Sequence, residues 1–480
     1  MYMEQQHGPS KKLDLFLDDV IEQIQYKPIR DEIKEELAAH IEDKKVEYVL
    51  GGIEESNAWN KAIENMGDAV EIGAHLNSVR KVQSNHLTVI LIIALIVIGI
   101  LGNIRVGIAS NSEISFSDFF YYLYGIIIFL TVYYFGYENI VKHIKVYLTV
   151  IVGTLLLCLA FFIIQRPYGM YLSITILFAL EFLSIPSIMG MAYFNRRKKY
   201  KSIHLTTVIV AVIIGTFSHL LGGYALTVNF ILLITIYSTL LYIIATGMLE
   251  GKRRTQVFSW ILSLGIVLAV FALSFNGDFK YLIQQCFYPE EVAQNYFNDS
   301  YNSILIKDLL GKAKLVGTIN LGHDELKSYY TSEWYFKNMD DSHYDYKMQY
   351  IERGDVTTLE DILPEHYQGN YRISYWILKY GLVLSIALIL IVVAAYGMLI
   401  RMVGKIRNKL GKVLALSCIL ALVLQFAFYV MGNFGLQFGF FYSFPFVSEG
   451  KSSIITNAIF VGLACSAYRY DKVVKEEKKR

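Results

Sequence analysis

The segment LPEHYQGNYR, residues 363–372, separates a long polar stretch from an apolar run that begins near Ile373. Upstream of it, residues 276–372 form a mainly polar segment, rich in tyrosine and phenylalanine. Downstream, the apolar run continues to residue 400, which exceeds the ~20 residues that a membrane-spanning helix needs. We therefore expect residues 363–372 to mark the place where a polar loop meets a membrane-spanning body.

The whole chain has the composition of a polytopic membrane protein. Of its 480 residues 54% are hydrophobic and only 7 are prolines, and the mean hydropathy is +0.40, whereas soluble proteins usually have about 45–50% apolar residues. The net charge of +2 gives no indication of nucleic-acid binding. Cys286 is the single cysteine of the polar segment, so no disulfide is expected within that segment.

Apolar runs of suitable length recur from residue 87 onward and predict an all-α membrane domain over residues 87–480. The ten expected spans are 87–104, 117–136, 146–165, 169–194, 204–221, 224–247, 257–275, 373–400, 411–431 and 453–468. The longest connection, residues 276–372, joins the seventh and eighth spans. Structureless connections of such length are uncommon and usually have a function.

Basic residues in the short connections predict the orientation of these spans. The connections expected on the same side as the N-terminal residues contain most of them, namely Lys142, Lys145, Arg196, Arg197, Lys198, Lys199, Lys201, Lys252, Arg253, Arg254, Arg401, Lys405, Arg407 and Lys409. The short connections on the other side contain little more than Arg105, Arg166 and Lys451. By the positive-inside rule, both termini are expected in the cytoplasm and residues 276–372 outside it.

The N-terminal part is expected to be a separate soluble module, with a disordered start at 1–10 and a helical domain at 11–80. Ile33, Leu37 and Ile41 recur every fourth residue among charged residues, which predicts an amphipathic helix that Gly51 and Gly52 end. No signal-peptide pattern precedes this module. The segment EELAAHIED, residues 35–43, resembles the small prefix domain found ahead of many Gram-positive permeases and membrane signalling proteins.

Three further stretches have motif-like patterns. The first is YNS at 301–303 with LLGK at 309–312, the second is LPE at 363–365, and the third is Asn433-x-Gly435 followed by PFVSEGKSS at 445–453. They resemble motifs of the SEDS family, the FtsW/RodA/SpoVE proteins of shape, elongation, division and sporulation. The third stretch is the most specific, because its nine consecutive positions depart from the family pattern only at Glu449 and Lys451.

The resemblance implies a multi-pass protein of the bacterial cytoplasmic membrane that polymerises glycan from lipid-linked disaccharide-peptide during peptidoglycan assembly. The implied partners are this precursor, membrane lipids and a single-pass transpeptidase of the class B penicillin-binding type, with no nucleic acid among them. The sequence indicates no cofactor and leaves a divalent cation open. Because the loop histidines lack metal-ligand spacing, we predict no metal site.

The position of the family's catalytic Asp is occupied differently in this chain. Counting back from Gly381 places Asn370 there, and counting forward from Leu363 places Gly369 there. Neither residue can take a proton, and general-base catalysis contributes about 10²–10⁴ in rate. We therefore favour a degenerate relative that binds the precursor. Two alternatives stay open: an active polymerase whose base is Glu365 or another loop acid such as Asp361, and a transporter or flippase of the lipid-linked precursor.

Several other residues are candidates for the site. Gly311 and Lys312 are candidates for contacting a pyrophosphate, although Lys312 is equally compatible with a solvated surface lysine. Arg372 is a candidate substrate-binding residue or a local partner of Glu365. Glu181 lies within an apolar run, and ionisable residues at membrane depth usually face an interior cavity. The third motif is expected to be structural through helix capping and close helix packing; its residues are Pro445, Phe446, Ser448, Gly450, Ser452 and Ser453.

Overall fold

The structure, a computed structural model, describes residues 9–109, 116–164, 183–190, 192, 203–209, 212–213, 226–274, 276–293, 299–330, 358–364, 367–439, 444–448 and 451–473. These residues form helices, turns and irregular connections, and none of them forms a β-strand. The chain divides into two compact units. The first unit is Met1–Ser84 together with Arg469–Arg480, and the second unit is Asn85–Tyr468.

Within residues 9–84, the first unit has four helices and a short 3₁₀ turn at Lys27–Ile29. The helices are α1 (Pro9–Glu22), α2 (Arg30–Leu50), α3 (Glu55–Glu64) and α4 (Ala69–Val79). Helix α2 buries Ile33 and Ile41, two of the residues whose spacing predicts it. The chain then turns at Gly52, which has a positive φ of 91°. Asp68 begins α4 by accepting a hydrogen bond of 2.8 Å from the backbone N–H of Glu71.

Residues 469–473 belong to this first unit. The backbone N–H of Gln83 donates to the carbonyl of Arg469 (2.9 Å), and the ring centroid of Tyr470 lies 5.7 Å from that of Tyr26. Val473 is 5% exposed and packs in one hydrophobic cluster with Ile24, Ile29 and Ile33. The end of the described chain therefore completes the core of the N-terminal helices.

The second unit contains the remaining helices. Its first part consists of α5 (His86–Ala109), α6 (Phe116–Phe135), α7 (Tyr137–Lys142), α8 (Ile144–Ile164), α9 (Leu226–Ala245) and α10 (Arg253–Ser274), and residues 183–190 and 203–209 are also helical. Its second part consists of α11 (Asn276–Phe287), α12 (Pro289–Ala293), α13 (Asp299–Gly311), α14 (His323–Tyr330), α15 (Leu359–Ile362), α16 (Tyr367–Asn370), α17 (Arg372–Tyr380), α18 (Leu382–Lys405), α19 (Lys409–Asn433) and α20 (Lys451–Arg469).

Four of the described helices are long and apolar enough to cross a membrane, over His86–Arg105, Arg253–Ala272, Leu382–Lys405 and Lys409–Asn433. In the first three, only 22–28% of the most apolar window is buried inside the protein. Large outward-facing apolar surfaces are typical of helices that contact lipid. The prediction of an all-α fold with membrane-spanning helices is thus confirmed at this level, and the arrangement of ten spans stays a prediction.

The run expected to form one span over 373–400 is divided at Gly381, where α17 ends and α18 begins. Gly381 has a positive φ of 88°. The backbone of residues 314–319 lies against this break and pairs with residues 378–383 through hydrogen bonds of 2.9–3.1 Å. A Cβ on Gly381 would lie 2.6 Å from the Cα of Val316, so a larger residue does not fit. The polar loop therefore helps to set the angle between the two helices.

Candidate functional site around Arg372

Arg372 is the first residue of α17, and its side chain is completely buried, with 0% exposure. Its Nε donates to the carbonyl of Gln368 at 2.7 Å, and Nη2 donates to the same oxygen. Its Nη1 donates to the carbonyl of Val447 at 2.9 Å and lies 3.5 Å from that of Gly99. The guanidinium therefore joins the turn between α16 and α17 to residues 444–448 and to helix α5.

Backbone carbonyls surround this buried cation. In the described part of the chain, no Asp or Glu oxygen lies within ion-pair distance of Arg372. Burying a charge is costly unless its hydrogen bonds are made, and the arginine fork presents five N–H donors for that purpose. Arg372 is a candidate substrate-binding residue by sequence, but in this structure it positions two backbone segments and has no exposed surface for a ligand.

Helix α19 presents polar side chains toward the same turn at every fourth residue, which places them on one face. The Tyr429 hydroxyl donates to the carbonyl of Gly369 (2.7 Å) and accepts from the backbone N–H of Arg372 (3.0 Å). The Asn433 amide donates to the carbonyl of Asn370 (2.9 Å). Gly369 and Asn370, the two positions that the motif resemblance predicts for a catalytic Asp, are thus held to α19 through their carbonyls.

Two further residues, Ser374 of α17 and Tyr371 just before it, bond the end of α19 and the residues that follow it. Ser374 donates through its hydroxyl to the carbonyl of Asn433 (2.6 Å), and its backbone N–H donates to the Asn433 side chain (3.0 Å). The Tyr371 hydroxyl donates to Gln437 at 2.9 Å. The sequence analysis did not single out Ser374, Tyr429 or Gln437. For Tyr429 the available signal is its four-residue spacing from Asn433 at the end of an apolar run, whereas Gln437 lies after α19 has ended at Asn433.

The described residues of this site contain no carboxylate positioned to act as a base. The Asn370 side chain is half-buried and makes no hydrogen bond with any described residue. The two acids of α15 already have partners: Asp361 accepts from the backbone N–H of Thr358 (2.8 Å), and Glu360 pairs with Lys379 (2.6 Å). The Asn370 amide can donate or accept a hydrogen bond, but it cannot remove a proton from a hydroxyl.

Phe444 and residues 445–448 of the third motif form a buried turn. The Ser448 hydroxyl accepts from the backbone N–H of Phe444 (2.6 Å), and Phe446 has a positive φ of 65°, which is uncommon for a residue with a side chain. The Phe444 ring packs 5.0 Å from the Tyr429 ring, measured between centroids. Pro445, Phe446 and Ser448 are all buried and shape the turn that presents the Val447 carbonyl to Arg372.

Two glycines of α5 make room for this arrangement. A Cβ on Gly99 would lie 2.3 Å from the carbonyl oxygen of Phe446, and a Cβ on Gly102 would lie 2.8 Å from Nη1 of Arg372. Because the two glycines are three residues apart, they lie on one face of α5. Close approach of α5 to the turn and to Arg372 therefore depends on the absence of side chains at these positions.

Ser453 packs in the interior between α19 and α20. Its hydroxyl accepts a hydrogen bond of 2.9 Å from Asn457, whose side-chain oxygen accepts from Gln425 at 3.4 Å. Contacts of this kind link neighbouring helices in membrane proteins. Of the other candidate residues, Glu181, Glu365 and Gly450 lie outside the described residues, and Ser452 is described only through its backbone in α20. Their roles stay predictions.

Lys312 lies in a separate charged cluster directly after Gly311, the last residue of α13. Its ammonium contacts Glu325 (2.8 Å), Asp308 (3.1 Å) and the Tyr329 hydroxyl. Desolvation acts to lower the pKa of Lys312, but its hydrogen bonds with Glu325, Tyr329 and Asp308 outweigh that effect and raise it above the ordinary value. The charge that could contact a pyrophosphate is therefore already compensated by two carboxylates.

Acidification is expected to release α14 from α13 at this cluster. The Tyr329 hydrogen bond lowers the pKa of Asp308, and the Lys312 hydrogen bond lowers that of Glu325. Their stabilising contribution is therefore complete above about pH 5 and is lost as the pH falls below about 4. Amide hydrogen exchange of residues 323–330, corrected for the intrinsic rate, measures this loss.

The Lys312→Met variant should lose the part of this pH dependence that comes from Glu325, because that carboxylate then lacks its cation, while Asp308 keeps its hydrogen bond from Tyr329. Lys314→Met serves as the control, since no ion pair is found for Lys314 among the described residues. If the exchange of residues 323–330 had the same pH dependence in Lys312→Met as in the parent, the cluster would not connect the two helices.

Comparison of the chain with models of known protein families gives no match, and a search of curated proteins finds no relative either. Among the described residues, no group of three or more His, Cys, Asp or Glu side chains is placed to hold a metal ion.

Proposed function

We propose that the chain is a SEDS-like membrane protein of bacterial peptidoglycan assembly that binds lipid-linked disaccharide-peptide without polymerising it. In this proposal it crosses the cytoplasmic membrane ten times, with residues 276–372 outside the cytoplasm. A single-pass transpeptidase of the class B penicillin-binding type is its protein partner.

The observation that carries the proposal is the hydrogen bond between Nη1 of Arg372 and the carbonyl of Val447, at 2.9 Å. The resemblance depends on three stretches, of which the second, residues 363–365, precedes Arg372 closely and the third, Asn433-x-Gly435 with residues 445–453, lies far from it in the chain. Arg372 connects these two segments, and Asn433, which begins the third motif, holds Asn370. A binding site assembled from the motifs requires this proximity.

The residues at the aligned catalytic position support binding rather than polymerisation. A sugar hydroxyl that attacks an anomeric carbon must lose its proton, and neither Asn370 nor Gly369 can accept one. Hydrogen bonds to a precursor do not require a base. A site that keeps its geometry and lacks the carboxylate can therefore retain affinity while losing about 10²–10⁴ in rate.

The first unit supports an even number of membrane crossings. Residues 469–473 share a hydrophobic core with the N-terminal helices, which supports the proposal that both segments lie on the same side of the membrane. Ten crossings between Asn85 and Tyr468 satisfy this requirement. The excess of Lys and Arg in alternate short connections favours the cytoplasm as the side of the first unit.

The test uses the purified full-length protein in sealed lipid vesicles with fluorescent lipid-linked disaccharide-peptide. We expect the parent protein to bind the precursor and to form no glycan strands. Asn370→Asp restores the carboxylate and is expected to produce strands at least about 10²-fold faster than the parent. Asn370→Ala is the matched control and should bind precursor without forming strands. Binding is measured by fluorescence anisotropy, and strands by gel separation.

Other outcomes of the same experiment favour other functions. The parent protein and Asn370→Ala could both form glycan strands while Glu365→Gln forms none. This result would identify an active polymerase with a displaced base. Movement of precursor across the vesicle membrane without strand formation would identify a flippase. A parent protein that does not bind the precursor at all would contradict the proposal.

A further inference from the structure

The connection between α13 and α14 exposes two adjacent apolar side chains, Leu315 and Val316, which we term the apolar tip. Leu315 is 71% exposed and Val316 73%. Apolar side chains that are exposed singly are ordinary, whereas a contiguous exposed apolar surface marks a contact with lipid or with another protein. The surroundings of the apolar tip indicate which of these two contacts it makes.

Backbone hydrogen bonds hold the apolar tip against the start of α18. The N–H of Val383, in the first turn of α18, donates to the carbonyl of Leu315 at 3.0 Å. The N–H of Gly317 donates to the carbonyl of Tyr380 at 3.1 Å, and Gly317 has a positive φ of 81°, which lets the chain reverse after Val316. The apolar tip is therefore fixed on both of its sides to the junction between α17 and α18.

The neighbouring part of α18 is also apolar and exposed. Val383 is 59% exposed and Leu384 50%, and only 28% of the most apolar window of α18 is buried inside the protein. An outward-facing apolar surface on a helix long enough to cross a membrane is typical of contact with lipid. Because Leu315 is bonded to Val383, the apolar tip extends this lipid-facing surface beyond the helix itself.

The length of α18 places the apolar tip at the edge of the hydrocarbon core. The charge-free part of α18, Leu382–Ile400, extends roughly 28 Å at about 1.5 Å per residue, which matches the ~30 Å thickness of that core. Exposed basic residues follow it at once, Arg401 and then Lys405, and mark the membrane boundary at that end. The opposite boundary then lies near Leu382, at the level of the apolar tip.

We propose that the apolar tip inserts into the lipid bilayer beside the first turn of α18 and anchors the polar segment 276–372 to the membrane surface. Its partner is lipid acyl chains, because the apolar surface that it extends belongs to a membrane-spanning helix. Lys314 directly precedes the apolar tip, and a lysine at this level can bury its stem while its ammonium reaches the headgroups. The proposal depends on α18 crossing a membrane and is independent of the lipid-linked precursor as substrate.

The test measures where a nitroxide attached at Val316→Cys lies, using the full-length protein in vesicles of phosphatidylcholine and phosphatidylglycerol. Molecular oxygen concentrates in the hydrocarbon and a nickel chelate stays in water, so electron paramagnetic resonance of the label distinguishes the two surroundings. We expect the label at position 316 to collide more with oxygen and less with nickel than a label at Asp324→Cys, an exposed position of α14 in the same polar segment. Leu390→Cys, on an exposed position within α18, is the reference for lipid.

Two controls make the measurement specific. The parent protein, treated in the same way, gives the signal of the four native cysteines, which is subtracted. Leu315→Cys repeats the measurement at the other residue of the apolar tip, so the test stands even if one variant fails to fold. A label that collides with nickel as often as the label at Asp324→Cys would place the apolar tip in water. A label that meets neither probe would show that protein covers the apolar tip, and either result would overturn the proposal.

Discussion

Replacing Arg372 with methionine is expected to lower the free energy of unfolding by about 3 kcal/mol, because the buried carbonyls of Gln368 and Val447 lose their donors. An unpaired buried carbonyl costs about 1–3 kcal/mol, and methionine offers no hydrogen bond in return. Thermal unfolding of the purified protein in lipid nanodiscs, followed by tryptophan fluorescence, measures the change.

Two further substitutions are the controls for this prediction. Arg372→Lys keeps the charge but lacks the planar fork that reaches both carbonyls, so its stability should lie between those of the parent and Arg372→Met. Arg401→Met changes an exposed arginine of α18 and should alter stability by less than about 0.5 kcal/mol. Equal unfolding temperatures for Arg372→Met and Arg401→Met would show that the buried guanidinium does not hold the two segments together.

Gly99→Ala is expected to destabilise the protein by about 1–3 kcal/mol, as overpacking commonly does. The added Cβ would lie 2.3 Å from the carbonyl oxygen of Phe446, which is part of the backbone and cannot turn away as a side chain can. The turn at residues 444–448 must then move away from α5, and the Val447 carbonyl moves with it. The same unfolding measurement reports the loss.

The comparison for this second prediction comes from other helical glycines. Gly265→Ala on α10 meets nothing within 4 Å and should be neutral or stabilising by up to about 1 kcal/mol. Gly102→Ala would meet Nη1 of Arg372, which is hydrogen-bonded to the Val447 carbonyl but belongs to a side chain and not to the backbone, so it should destabilise the protein less than Gly99→Ala does. Similar stabilities for Gly99→Ala and Gly265→Ala would mean that α5 and the turn do not pack as closely as described.

The all-α fold class could be predicted because long apolar runs favour membrane-spanning helices. The break at Gly381 could not, since glycine is frequent within membrane helices. Its positive φ depends on residues 314–319, which pack against it from a distant part of the chain. The packing of Val473 in the first unit could not be predicted either, because the five residues 469–473 are too few to show a helical period.

The site could be predicted in outline through its motifs but not in its contacts. An arginine at the border of a polar and an apolar stretch can extend toward water or be buried among carbonyls, and sequence does not distinguish these outcomes. The burial of Arg372 depends on space beside Gly99 and Gly102, far away in the chain. By contrast, Tyr429 and Asn433 follow a four-residue spacing that is present in the sequence.

The packing of residues 469–473 against the N-terminal helices gives the first unit a defined order of folding during synthesis. Its helices leave the ribosome first, but Tyr470 and Val473 reach them only after the whole second unit, Asn85–Tyr468, has been translated. At roughly 5–20 residues per second, this delay is on the order of 20–80 s. Until then the cluster around Ile24 and Ile33 lacks one of its members. Completion of this core therefore follows the synthesis of the second unit, Asn85–Tyr468.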